Sequence, residues 1–341
     1  MFTKLQTRYQ TWQAANSDVA ALPWLLGAVL LLMTVLTRGR FLGSSNIINL
    51  LSQMPELGLL SLAMMVAMIT AGIDLSIISA ANLSAVVMAL VLTQLVPEGA
   101  SSTTVWGFVV LAIITGLLTS AFLGAINGYL IGYVEVPAVL ATLGTMILYE
   151  GVTLAITRGF VISGLPSQFL LLGNARILGI PIQMLIFAVV AVVIGLLLQK
   201  RPYGVYLYFV GSNPTATAFS GVNVRRVLLR TYITSGLLSG IAAIVMLARF
   251  NSANARQGSS LLLLTVLICM LGGTDPYGGF GRVSGLVLAL VILQMVTSGL
   301  NLLGVNSFAA VALWGAMLVG VIIYKFVQRR RWERQGKQQL S

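Results

Sequence analysis

Ten blocks of apolar residues, separated by polar breaks, run along this chain near positions 20–36, 57–72, 77–95, 106–123, 137–156, 182–198, 229–247, 261–272, 283–299 and 308–326. A helix that crosses the hydrocarbon of a bilayer needs about 20 mostly apolar residues, so the pattern predicts an all-α polytopic membrane protein of about ten spans. The second and eighth blocks are short, which leaves eight or nine true spans open. The stretch 46–53 ahead of the second block predicts an interfacial or half-inserted helix.

The longest and most basic internal break is residues 200–230, KRPYGVYLYFVGSNPTATAFSGVNVRRVLLR. Inside it lie the start, body and stop of a short helix. Asn213 is placed to cap free N–H groups, Pro214 suits the first helical position, and Gly221 suits a left-handed exit. Set between Lys200-Arg201 and Arg225-Arg226-Arg230, this helix reads as a handle for a partner protein. An ordinary loop helix is the competing reading.

Composition agrees with the pattern. Of 341 residues 58% are hydrophobic and 8% charged, with mean hydropathy +0.97, against about 25% charged residues in soluble domains. The net charge of +12 sits in ends and loops between apolar runs, so it speaks for membrane orientation rather than nucleic acid. Placing the central loop and the basic tail inside puts both termini in the cytoplasm. Arg38, Arg40, Arg158, Arg176, Arg249 and Arg256 then lie outside, against fourteen Lys and Arg inside. The expected layout is a cytoplasmic segment 1–19, one transmembrane domain 20–326 with a cytoplasmic loop 199–228, and a basic tail 327–341. Some twenty mostly polar residues precede the first apolar run, unlike a cleavable signal.

Small residues recur every fourth position at Gly116, Ser120, Gly124, Gly128 and Gly132, a face that lets another backbone come close. That face suits packing within the chain or contact with another subunit. Ser235, Gly236, Ser239 and Gly240 form a shorter face of the same kind. Residues 71–90 and 271–290 share five identities, and each joins two apolar runs through an Asp-containing break. Interrupted segments in corresponding positions point to a transport pathway.

Chemistry is sparse. There is no His, and Cys269 is the one cysteine, which excludes disulfides within the chain, a Cys/His zinc site and His-based catalysis. No GxxxxGK[ST] pattern occurs, so an ATP-driven process needs another subunit. No nucleophile–base pair is evident, and no catalytic or metal-binding residues are expected. Among eight carboxylates, Asp74 follows a helix break, where it caps the next helix or touches a substrate. Glu150 reads as interfacial or helix-pairing, and Asp275-Pro276 as a tight turn. An ion-coupled carrier working alone is the alternative to an ATP-driven transporter.

Four ordered stretches, AMITAGIDLSI (67–77), GAINGYLIGYVEVPAVLATLGTM (124–146), YFVGSNPTATAFSGVNVRR (208–226) and MLGGTDPYGGFGRVSG (270–285), resemble the recurrent motifs of membrane permeases from bacterial ribose-type ABC sugar importers. The resemblance covers nearly the whole chain. It implies an inner-membrane location and a fold like that of the vitamin B12-type importers. It also implies a homo- or heterodimer of permease subunits forming the path, a cytoplasmic ATPase carrying ATP and magnesium, and a periplasmic binding protein that delivers a sugar. Gly211, Asn213, Pro214, Thr215, Ala216, Thr217, Ala218, Phe219, Ser220 and Gly221 would then form the helix that couples to the ATPase. A neutral sugar asks for hydroxyl and amide side chains, and Asp74, Ser76, Asn82, Asn127 and Thr142 are the expected path residues. The chain departs from the family pattern in three places. Ile77-Ile78 stands where the family commonly has Val-Gly, and Glu150 where many members have Arg. Ser259 to Leu264 replaces an acidic residue followed by an alanine-rich run.

Overall fold

The computed structural model describes residues 20–338; the expected cytoplasmic segment 1–19 and residues 339–341 lie outside the described residues. The chain begins with α1 (Ala20–Leu36) and a 3-10 turn at Arg40–Leu42. Next come α2 (Ser44–Ile69), α3 (Ile77–Gln94), α4 (Ser102–Gly132) and α5 (Ala138–Thr157). After β1 (Ile162–Ser163), α6 (Ser167–Asn174), β2 (Arg176–Ile177) and β3 (Ile180–Pro181) come α7 (Ile182–Lys200), α8 (Pro202–Ser212), α9 (Pro214–Phe219) and α10 (Val224–Phe250). The chain closes with β4 (Ser252–Ala253), α11 (Leu261–Leu271), α12 (Val283–Leu302) and α13 (Ser307–Gln338). The strands make two small antiparallel pairs, β1 with β4 and β2 with β3.

Seven helices, α2, α3, α4, α5, α7, α10 and α12, are long and apolar enough to cross a membrane; α1, α11 and the Ala309–Ile323 part of α13 are shorter apolar helices. Each falls on one of the ten apolar blocks. The molecule is an all-α polytopic membrane protein built around α2, which is buried on every side from Met54 to Ile69.

The glycine face of α4 lies against α10 of the same chain. A β-carbon on Gly124 would collide with the Tyr232 carbonyl, and one on Gly236 with the Ser120 carbonyl. On Gly128 it would stand 2.8 Å from the Leu229 α-carbon, and on Gly132 2.9 Å from the Arg225 carbonyl. Gly116 meets Met88 of α3 instead. The two small faces seen separately in the sequence are thus the two sides of one helix crossing. Lipid supplies no hydrophobic drive between helices, so close backbone approach is what holds such a pair together.

Several expectations are corrected. The stretch 46–53 is no separate interfacial helix but the first turns of α2, which runs unbroken through Pro55. Its polar side chains face a neighbour: Gln294 Nε2 donates to Gln53 Oε1 at 3.0 Å and Ser298 Oγ to Asn46 Oδ1 at 2.7 Å, both from α12. Residues 202–212, read as loop, form α8, because Gly204 and Gly211 allow close approach to the Leu198 backbone and the Ile69 carbonyl. The short helix α6 was also absent from the sequence reading; its Gly173 sits on the Ala248 backbone. The two Asp-containing breaks are turns between successive helices, as the block layout predicts. Helix α13 runs on through Gln338 into the basic stretch that begins at residue 327.

Gly128→Leu and Gly236→Ala are expected to destabilise the fold by about 1–3 kcal/mol or more, since backbone rather than a movable side chain stands in the way. Gly144→Ala and Gly151→Ala on α5, where a β-carbon meets open space, should leave stability unchanged or raise it by up to about 1 kcal/mol. Thermal unfolding of detergent-purified protein separates the two pairs, and wild-type stability of Gly236→Ala would contradict the crossing.

Candidate functional site

Helix α2 ends at Thr70, and the chain turns through Ala71, which takes the left-handed conformation at φ +62°. Asp74 closes this turn by accepting the Ser76 N–H on Oδ1 at 3.1 Å, the local bond that short polar side chains make at helix starts. From there a line of donors leads outward. Ser76 Oγ donates to Asp74 Oδ1 at 2.7 Å and Asn127 Nδ2 of α4 donates to Ser76 Oγ at 2.7 Å. Thr145 Oγ1 of α5 donates to Asn127 Oδ1 at 2.7 Å. From the other side, Ser235 Oγ of α10 donates to Asp74 Oδ2 at 2.8 Å.

Three donors end on the Asp74 carboxyl group and the others relay toward it through Ser76; Asp74 is 2% exposed. The three ion pairs among the described residues lie elsewhere, so hydrogen bonds alone offset the charge. Charge-assisted bonds of this kind are the strong ones. The hub ties the α2–α3 turn to α4, α5 and α10.

Thr142 joins through the backbone, its Oγ1 donating to the Ile73 carbonyl at 2.9 Å as well as to Ala138 at 2.8 Å. Asn82 stands apart: its Nδ2 donates to the Ala255 and Gln257 carbonyls, each at 3.0 Å. Asp74, Ser76, Asn82, Asn127 and Thr142 are all buried, and they bond to one another, to the Ser235 and Thr145 hydroxyls or to backbone. Ser235 and Thr145 are the hub members that sequence reasoning missed. Ser235 was read only as a packing residue, and a fourfold spacing of small residues does not distinguish a hydroxyl that packs from one that bonds.

The second element is α9. Asn213 Oδ1 accepts the Ala216 N–H at 3.0 Å, Pro214 holds the first position, and Gly221 leaves at φ +81°. Thr217 alone of the helix is buried, its Oγ1 donating to the Asn213 carbonyl at 2.7 Å. The remaining residues are exposed, and Phe219 is 90% exposed.

The base of α9 is a backbone junction. Gly211 sits on the Ile69 carbonyl, and that same carbonyl accepts the Gly279 N–H at 2.8 Å. The loop that carries Gly279 is ordered by Asp275, whose Oδ1 accepts the Tyr277 N–H at 2.9 Å. Thus α8, the end of α2 and the glycine-rich loop 272–281 meet without intervening side chains.

Residues 46–324 match the family model described as "Branched-chain amino acid transport system / permease component". The chain is 34% identical over 303 residues to the ribose import permease protein RbsC of Bacillus subtilis, covering 88% of this chain and 91% of that one. It is 31% identical over 281 residues to the autoinducer 2 import system permease protein LsrD of Escherichia coli, covering 81% and 82%. The Shigella flexneri protein of the same name matches equally. The chain belongs to this family of ABC importer permeases. It is a multi-pass protein of the inner membrane, and such permeases are not themselves ATPases. No solved structure matches the permease.

The permease carries two further charge pairs of interest. Arg249, over the Phe250 ring at 4.9 Å, meets Glu56 of the central helix at 2.7 Å. Glu56 was not singled out in the sequence, although a carboxylate between two apolar runs is a signal in its own right. Glu150 of α5 meets Arg256 at 2.6 Å, a partner in the non-helical segment between α10 and α11 rather than on a second helix.

Removing the carboxylate that three donors share should be felt strongly. Asp74→Ala is expected to lower the stability of the purified permease by about 2–4 kcal/mol, because the Ser76 and Ser235 hydroxyls lose a buried acceptor. Asp74→Asn keeps an acceptor for Ser76 and should lose less. Equal melting temperatures for wild type and Asp74→Ala in detergent would contradict the hub.

Proposed function

We propose that this permease pairs with a second permease subunit, identical or related, to form the membrane path of an ATP-driven importer for a sugar or sugar-like small molecule. A periplasmic binding protein delivers the cargo, and a cytoplasmic ATP-binding subunit, which holds the ATP and magnesium, docks on α9. The relatives named for ribose and autoinducer 2 support a polyhydroxylated cargo.

The observation that carries the reading is the form of α9. It is a capped helix seated on backbone at its base, with Phe219 and its neighbours turned outward. An aromatic side chain this exposed on a rigid support is the usual anchor of a protein interface. Lys200, Arg201, Arg225, Arg226 and Arg230, all exposed, flank α9 along the chain, which suits the cytoplasmic side. On this reading the Asp74 hub holds the inner ends of α3, α4, α5 and α10 in register beside the path, while Asn82 supports the loop before α11.

Ala216→Arg and Ala218→Arg each put bulk and charge on a surface that must fit a cleft, and misfit or like charge at a docked surface costs several kcal/mol. Uptake should be lost and the ATPase should no longer co-purify, with permease abundance unchanged. Phe219→Ala should weaken co-purification by about tenfold, as for a central anchor worth more than about 1 kcal/mol. Wild-type uptake and co-purification in all three variants would refute the docking. Uptake that survives vanadate but collapses with an uncoupler would instead identify an ion-coupled carrier.

A further inference from the structure

The chain between α10 and α11 takes an unusual course. Helix α10 has 27 residues, long enough to cross a bilayer, and ends where Asn251 Oδ1 accepts the Leu165 N–H at 3.0 Å and β4 pairs with β1. Helix α11 has 11 residues, about 16 Å at about 1.5 Å per residue, roughly half the hydrocarbon thickness. It ends against α12 beside the glycine-rich loop, where a β-carbon on Gly272 would stand 2.7 Å from the Leu286 α-carbon. If α10 and α11 cross in opposite directions, the other half of the return crossing falls to residues 251–260, which hold no helix.

Asn82 marks the depth that this segment reaches. It is the sixth residue of α3, about 9 Å from that helix's start, and its amide bonds the carbonyls of Ala255 and Gln257. Irregular backbone at membrane depth is tolerated only where protein buries it or water fills a cavity beside it. Here one side is buried, at Ala253 and Ala255, and the other, with Arg256, Ser259 and Ser260, is exposed.

Arg256 Nε donates to Glu150 Oε1 at 2.6 Å, and the two side chains are 75% and 28% exposed. Glu150 is the thirteenth of the twenty residues of α5, well inside a helix long enough to span. A charged pair turned toward hydrocarbon at that depth is expensive, so ionisable groups there face a cavity or another protein surface.

We propose that Glu150, Arg256, Ser259 and Ser260 form a polar constriction on the water-filled route through the permease, whose ion pair selects a neutral polyhydroxylated cargo; the choice of cargo rests on the importer reading above. The pair has no net charge, so it offers no attraction to an anion or a cation as a whole. Arg256 offers its terminal nitrogens as donors, and the Glu150 carboxylate stands beside them as an acceptor. Hydroxyls on adjacent carbons need that combination, since each both donates and accepts.

The test needs no cargo. The native Cys269 is fully buried, so cysteines introduced by Ser259→Cys and Ser260→Cys can be followed in the full-length permease within its assembled importer. Both are expected to react in intact cells with membrane-impermeant methanethiosulfonate reagents, whereas Val193→Cys on the apolar outer side of α7 should not. With the pair intact, anionic and cationic reagents should react at Ser259→Cys at similar rates. Adding Glu150→Gln should raise the anionic-to-cationic rate ratio by about tenfold, and adding Arg256→Gln should lower it similarly, as expected for one uncompensated charge in a confined polar site. Absence of labelling at both serine positions in normally abundant protein overturns the constriction. Labelling with an unchanged ratio overturns the role of the pair. Both results are independent of the vanadate experiment, on which the importer reading itself stands or falls.

Discussion

Close backbone contact between α4 and α10 is the constraint on which the rest of this molecule depends. In water two apolar helices would associate merely by leaving solvent, but in lipid that drive is absent and atoms must fit. Gly124, Gly128, Gly132 and Gly236 remove the side chains that would hold the helices apart. The same closeness brings Ser235 to Asp74 and leaves Asn127 able to reach Ser76. A hydroxyl has a short reach, so the Asp74 hub exists only because the crossing is tight. The glycine face and the polar hub are therefore one arrangement, in which packing positions donors and the donors in turn hold the α2–α3 turn.

Much of this was legible in the sequence, for identifiable reasons. Apolar blocks located the helices because a span in lipid must be apolar along its length. The caps of α9 were legible because Asn213, Pro214 and Gly221 act through their own backbone. What could not be read was anything set by the approach of distant segments. Helix α8 was obscured by Gly204 and Gly211, which look like loop residues until Leu198 and Ile69 are seen against them. The polar start of α2 looked interfacial because its partners, Gln294 and Ser298, lie about 240 residues away. Sequence reasoning did mark Glu150 and the stretch from Ser259 as departures from the motif pattern, without any means of seeing that Glu150 bonds to Arg256, three residues before that stretch.

Charge placement follows one economy throughout. Asp74 is offset by hydroxyl and amide donors, Glu56 by Arg249, and Glu150 by Arg256. The three solutions differ with their surroundings. Glu56 lies on the most enclosed helix, where an unpaired charge would be most unfavourable and a guanidinium stacked over Phe250 supplies the countercharge. Asp74 sits at a helix start with N–H and O–H groups already at hand, so a cation would be redundant. Glu150 has a partner that is itself largely exposed, an arrangement that is stable only if its open side is not hydrocarbon.

The junction beneath α9 shows why the glycines of loop 272–281 belong with those of α8. Gly279 donates its N–H to the Ile69 carbonyl, the very carbonyl against which Gly211 packs, while Gly278 faces Ala71 with room for no β-carbon. Both loop glycines have positive φ, at +84° and +82°, so substitution there would bring strain as well as collision. Flexible side chains between these elements could give way under a load by changing rotamer. Backbone in direct contact cannot, since packed interiors transmit displacement rather than absorb it. On the proposed docking of an ATPase, a push on α9 would pass by backbone contact to the end of α2, five residues from Asp74 along the chain. Because Asp74 is bonded at once to Ser76 of the turn and Ser235 of α10, the displacement must either carry α4, α5 and α10 with the turn or break the hub.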